Sequence, residues 1–255
     1  MRWVWVSLMW GQTWAPRLLG TAEAQAPLQG ELLSLSPATA FSLQQWAIQA
    51  GVTLYAPSPE LNFRMIAGSF SWDTLQGVQL RVQQWGFDKI TQWEAGAGYA
   101  LRILEGQITL AVRGRLVSTD FSEYGRRSHL TPDIGFRWRI SPKLHLGGYG
   151  YNLLAQGWGL MPENIIYALG AAFVPSSHAQ LIAEIGQEGL SPLQIRTAFS
   201  YSPSSFIVLR AGIGVPLLTV GGGFTIRLRS VGVDFGYRYQ PTIGSWGGIG
   251  ISYPD

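Results

Sequence analysis

The chain has no cysteine. Disulfides and thiolate chemistry are therefore excluded. Charge is also scarce: Asp, Glu, Lys and Arg make up 13% of the 255 residues, about half the share usual in soluble domains. Lysine is limited to Lys89 and Lys143, so the net charge of +3 rests on arginine. A nucleic-acid binder usually shows Lys and Arg together in a surface patch, and nucleic acid is not an expected partner. Beyond the N-terminus no run of 18 apolar residues occurs, although 47% of the chain is hydrophobic. Helices that cross a bilayer need about 20 such residues, so a helical membrane protein is not expected. The three histidines, His129, His145 and His178, share no metal-ligand spacing. Gly221-Gly222-Gly223 lacks the Lys-Ser/Thr and the helix of a phosphate loop. No local Ser–His arrangement stands out. The chain is therefore read as a non-enzyme, without catalytic residues, metal or cofactor.

What is present is alternation. In Ser230–Gln240, Val231, Val233, Phe235, Tyr237 and Tyr239 fall on one parity, and Gly232, Asp234, Gly236, Arg238 and Gln240 on the other. A strand sends successive side chains to opposite faces, so this segment has one oily and one polar or small face. The pattern recurs in segments of about 10 residues separated by turn residues, the signature of a transmembrane β-barrel. Glycine (32 residues) and aromatics (13%) suit a small-residue interior and a greasy exterior.

The fold class expected is all-β: an antiparallel up-and-down transmembrane β-barrel. Strands are expected near 45–55, 61–71, 75–83, 93–104, 107–118, 132–140, 143–152, 164–174, 178–186, 192–201, 205–213, 218–228, 230–240 and 246–253. That makes about 14 strands, with about 12 as the alternative. Short connectors such as 105–106 and 141–142 alternate with longer ones at 84–92, 119–131, 153–163 and 187–191. Tight periplasmic turns facing longer outer loops produce that alternation, with an even strand count and both termini in the periplasm. Lipid offers no partner for an open sheet edge, so such a sheet must close. The bilayer of a bacterial outer membrane is the expected surrounding. Trp93, Trp138, Tyr149, Tyr151, Tyr167, Tyr201, Tyr239 and Trp246 are expected in the interfacial girdles.

The N-terminus reads as an export signal over residues 1–24. Arg2 precedes apolar Trp3–Trp10, and Ala22-Glu23-Ala24 and Ala24-Gln25-Ala26 both match A-x-A. Cleavage after Ala26 would place Pro27 first, which is poorly tolerated, so cleavage after Ala24 is favoured. Residues 25–43 lack a strand pattern and are expected as a periplasmic lead-in or short plug. Within them Ser36-Pro37-Ala38 has the composition that opens a short helix. Residues 44–255 form the barrel.

The inward parity is expected to hold Arg64, Arg81, Arg102, Arg113, Arg115, Arg137, Arg139, Arg196, Arg210, Arg227 and Arg238 against the acids Glu94, Asp133, Glu184 and Asp234. Two roles fit this set. One is a structural network, since the planar guanidinium bonds carboxylates bidentately. The other is a cationic lumen favouring anions. Outer-loop candidates for partner contact are Arg126 and Arg127 in 119–131, and the apolar Trp158, Leu160 and Met161 in 153–163.

Several short motifs occur in order along the chain. They are Leu35-Ser36-Pro37-Ala38, Asp133-Ile134-Gly135-Phe136, Gly147–Leu154, Ala168–Pro175, Leu209-Arg210-Ala211-Gly212, Val220–Phe224, Val233-Asp234-Phe235-Gly236-Tyr237 and Gly244–Tyr253. Together they resemble the PorV/PorQ-type barrels of the FadL-like superfamily over most of the chain. The resemblance implies a 14-stranded outer-membrane barrel. From the PorV/PorQ side it implies an accessory role in type IX secretion, with translocon or cargo proteins as partners. From the FadL-like side it implies a channel for small hydrophobic or anionic solutes. Ser36 replaces the Asn of the family's Asn-Pro-Ala motif, and the chain is short for long outer loops.

Overall fold

The structure, a computed structural model, describes Thr21, Ala24, Gln25 and residues 34–38, 46–58, 60–87, 90–154 and 164–253. Fourteen strands follow one another. The first seven are β1 (Trp46–Tyr55), β2 (Asn62–Ser71), β3 (Gln76–Phe87), β4 (Ile90–Ile103), β5 (Ile108–Phe121), β6 (Gly125–Arg139) and β7 (Leu144–Tyr151). The rest are β8 (Ile166–Ser176), β9 (Ala179–Glu188), β10 (Gln194–Ser204), β11 (Ile207–Val215), β12 (Thr219–Leu228), β13 (Val231–Gln240) and β14 (Gly244–Tyr253).

Every strand pairs antiparallel with its sequence neighbours, and β1 pairs with β14 to close the barrel. The seam runs from Ile48 opposite Tyr253 to Tyr55 opposite Trp246, and Trp46 packs on Tyr253 at 4.9 Å between ring centroids. Closure leaves no spanning edge whose N–H and C=O groups would face hydrocarbon.

The two faces follow the parity of the sequence. On β5, Thr109, Ala111, Arg113 and Arg115 are buried, whereas Leu110, Val112 and Leu116 are exposed to the surroundings. Asp133 is 0% exposed, whereas Leu169 is 58% exposed. This is the inverse of a soluble protein and the arrangement lipid selects.

Three sequence expectations change here. The expected long loop 119–131 is instead a hairpin: β5 runs to Phe121, residues 122–124 turn, and β6 starts at Gly125. Gly125 adopts φ +76°, the left-handed region that lets so short a turn close. The gap 84–92 is likewise mostly strand, with β3 reaching Phe87 and β4 starting at Ile90. Arg126 and Arg127 therefore lie in a strand and not a loop. Polar residues at these strand ends hide the barrel alternation, because they stand where lipid no longer selects an oily face.

Second, Tyr149, Tyr151 and Trp246 point inward and are buried, not girdle residues. Their strands are glycine-rich, so the parity cue was thin. Third, Ser36-Pro37-Ala38 opens no helix among the described residues; Pro37 and Ala38 form a turn. The carbonyl of Pro37, which a helix opened at Ser36 would use, accepts instead from Gln79 Nε2.

Candidate functional site

The barrel interior is the candidate site. Its centre is built on β4, β5 and β6. Arg113 stands directly opposite Asp133 in the β5–β6 register, and Arg115 follows two residues on, on the same face. Both Nε atoms donate to Asp133 Oδ2 at 2.8 Å. Asp133 Oδ1 accepts from the backbone N of Asn152 at 2.9 Å. Arg115 also donates through Nη1 to Glu94 Oε2 at 2.9 Å, and its guanidinium lies 3.8 Å from the Tyr151 ring centroid. Gln92 Nε2 donates to Glu94 Oε1 at 2.9 Å, and Tyr151 OH donates to Glu94 Oε2 at 3.2 Å. Each buried charge thus has a charged partner and further hydrogen bonds, the condition for burying ions at tolerable cost.

Residues 34–38 of the N-terminal segment sit inside this network. Arg113 Nη2 donates to Leu35 O at 2.6 Å and Nη1 to Ser34 O at 3.3 Å. Arg81 Nη1 also donates to Ser34 O, at 2.9 Å, and Arg81 bonds Gln83 within its own strand. Gln79 Nε2 donates to Pro37 O at 3.1 Å. Leu35 packs against Tyr149, Tyr151, Ile166 and Ala168.

Inward glycines make the space. A Cβ on Gly135 would lie 2.8 Å from Ser36 Oγ and 3.0 Å from Pro37 Cδ. One on Gly98 would lie 2.7 Å from the Gln79 amide nitrogen that reaches Pro37, and one on Gly96 would lie 3.0 Å from Arg115 Cγ. The sequence reading missed these glycines and the glutamines Gln25, Gln79 and Gln92. Their only signal was position: small or amide side chains on the same parity as the arginines.

Other predicted residues form separate groups. Arg196 Nη1 donates to Glu184 Oε1 at 3.0 Å, and Glu184 Oε2 accepts from the backbone N of Gln25 at 2.9 Å. Arg210 Nη1 and Asp234 Oδ1 are joined through Thr225 Oγ1, at 2.5 Å on each side. Arg238 stacks over Trp246 at 4.2 Å. Near the short-turn end Arg137 Nη2 lies 3.0 Å from His145 Nδ1, and Arg102 Nη1 donates to Thr74 O at 3.1 Å. Arg139 shares the inward parity but is exposed at the rim, and Arg227 is half-buried near the end of β12.

Arg64 is the exception. It lies on the outward, exposed face of β2, while Phe63, Met65 and Ala67 turn inward. The apolar inward trio, contrary to the usual pattern, misdirected the parity assignment. Of the partner candidates, Arg126 donates to Ser118 Oγ at 2.6 Å. Trp158, Leu160 and Met161 lie outside the described residues. Among the described residues no group of three or more His, Cys, Asp or Glu is placed to hold a metal.

The outer wall carries two apolar grooves. The larger, ≈ 860 Å³, has Gly148 and Gly150 as its floor and Val112, Ile134, Phe136, Leu153 and Leu169 among its walls. The second, ≈ 540 Å³, lies across β14, β1 and β2, with Val52, Ile66, Ile249 and Arg64 in its lining.

No protein-family model matches the sequence, and no curated protein sequence does. Solved structures do resemble it. The Pseudomonas putida toluene transporter TodX matches with TM-score 0.66 at 10% identity, covering 95% of this chain and 98% of that one. The monoaromatic hydrocarbon channel CymD matches with TM-score 0.71 at 10% identity, covering 94% and 97%. The Ralstonia pickettii toluene transporter TbuX matches with TM-score 0.63 at 8% identity, covering 93% and 96%. At these identities the likeness is one of fold: the chain is a closed, 14-stranded antiparallel barrel of the bacterial outer membrane.

Proposed function

We propose that the protein is a FadL-like channel for small hydrophobic solutes across the outer membrane. Residues 1–24 act as its export signal and 25–43 as its plug. One observation carries the reading: a plug whose Ser34, Leu35 and Pro37 carbonyls are hydrogen-bonded by barrel side chains, in a barrel that shares its fold with hydrocarbon channels over nearly its whole length.

The chemistry supports a gated conduit. The plug is tied to the wall by a few donors, so it can shift while the strand ladder stays intact. Gating motions commonly move such weakly tied segments around a fixed scaffold. Arg81, Arg113 and Arg115 hold carbonyls and carboxylates and are buried in doing so, which favours a plug-holding role over an open anion lumen. The apolar grooves of the outer wall offer hydrocarbon-lined space for solutes that partition into lipid.

The test is uptake. Cells or vesicles carrying the protein should take up labelled toluene faster than matched cells without it, and deletion of residues 34–38 should raise the leak of small polar solutes. No change in uptake, together with co-purification of a secretion translocon, would replace this reading with the accessory role implied by the PorV/PorQ resemblance.

A further inference from the structure

We infer that the barrel interior is a docking site for the chain's own processed N-terminus: cleavage after Ala24 leaves Gln25 first, and its α-ammonium binds the buried carboxylate of Glu184. The inference rests on the export signal proposed above and adds where the new terminus goes.

Two A-x-A sites overlap in the sequence, ending at Ala24 and Ala26. The interior discriminates between them. Gln25 is 0% exposed and recognised at every polar atom of its side chain. Its Oε1 accepts from Ser34 Oγ at 2.8 Å and from Leu35 N at 3.0 Å. Its Nε2 donates to Tyr149 OH at 3.3 Å. Its backbone nitrogen lies 2.9 Å from Glu184 Oε2. A cut after Ala26 discards all four contacts. A cut after Ala24 keeps them and strengthens the last.

The strengthening follows from charge. Within a chain the nitrogen of Gln25 offers one neutral N–H. As a terminus it offers three N–H donors and a positive charge to a carboxylate that is fully buried. Charge-assisted bonds are about twice as strong as neutral ones, and more so away from water. Arg196 already holds the other oxygen of Glu184 at 3.0 Å, so one carboxylate would lie between two cations. The same interior uses that arrangement elsewhere, with Asp133 between Arg113 and Arg115.

The order of events also follows. Ala24 is 0% exposed, packed on Ala172, Ile182 and Ala198. A peptidase has no access to the Ala24–Gln25 bond in the closed barrel, so hydrolysis of that amide by water must precede closure. From the interior it removes the methyl group of Ala24 and the buried side chain of Thr21.

The experiment has two readings on protein purified from outer membranes. Intact mass should equal residues 25–255; an uncut chain, a cut after Ala26, or loss of ammonia by cyclisation of Gln25 would overturn the inference. Amine acylation at neutral pH should then label the Gln25 terminus at least about tenfold more slowly in the folded barrel than in urea, as for an amine whose pKa rises by one unit. Lys143 serves as the exposed reference. Glu184→Gln should speed labelling of the terminus and leave Lys143 unchanged. Equal labelling of the terminus in folded and unfolded wild type would overturn the docking. Recovery in the outer membrane with a different N-terminus would leave the export reading standing and remove this inference alone.

Discussion

The barrel wall has two unequal arcs. Strands β3–β6 run 12 to 15 residues, whereas β7–β14 run 8 to 11. A tilted strand crosses the hydrocarbon in about 9–11 residues, so β6, the longest of that arc, runs about four residues past it, about 13 Å along the strand at about 3.3 Å per residue. The long arc also carries one continuous polar network, Arg113–Asp133–Arg115–Glu94, joined to Arg81 through the shared carbonyl of Ser34. The short arc carries smaller groups, Arg196–Glu184 with the backbone of Gln25, and Arg210–Thr225–Asp234. The two arcs thus differ in how many partners each buried charge shares. Network members share partners, so losing one strands several; the smaller groups share fewer.

The sharpest contrast is between two aspartates. Asp133→Ala leaves Arg113 and Arg115 buried without their common partner and should cost about 3–5 kcal/mol. Asp234→Ala in the short arc should cost about 1–3 kcal/mol. Urea titration of heat-modifiable gel migration measures both, and equal losses would dissolve the distinction between the arcs. On the outer wall, Leu169→Arg should cost about 2–4 kcal/mol if that position lies near the bilayer midplane; folding into vesicles of known lipid reads it. Gly135→Leu drives a side chain into Ser36 and Pro37. It should cost about 1–3 kcal/mol and expose the plug to protease while the barrel stays intact. The smallest effect is expected at Arg64→Leu, within about 1 kcal/mol, because Arg64 faces outward two residues from the end of β2, and near an interface an outward charge costs about 0–1 kcal/mol. A loss comparable to that of Asp133→Ala would return Arg64 to the interior.

The barrel was legible because lipid imposes a strict rule on every spanning residue. Leu110, Val112 and Leu116 alternate with Thr109, Ala111, Arg113 and Arg115, and the structure keeps that division. The rule lapses where lipid ends. The outer ends of β5 and β6 read as a loop because Asp120, Arg126 and Ser128 need not be oily. It also lapses where the interior is apolar, as at Phe63, Met65 and Ala67, and Arg64 was misplaced for that reason. The seat of the plug was not legible, since it depends on contacts between residues far apart in sequence: Gln79 with Pro37, Arg81 with Ser34 and Gly135 with Ser36. No local pattern encodes those pairings.

Because the chain has no cysteine, single cysteines can be placed at will. The most direct measurement is a nitroxide scan of residues 108–116 in lipid vesicles, reading collision with oxygen. The account predicts strong oxygen collision at Leu110, Val112 and Leu116 and weak collision at Thr109, Ala111, Arg113 and Arg115. Uniform values along β5, or the opposite phase, would contradict a lipid-facing wall around a plugged polar interior.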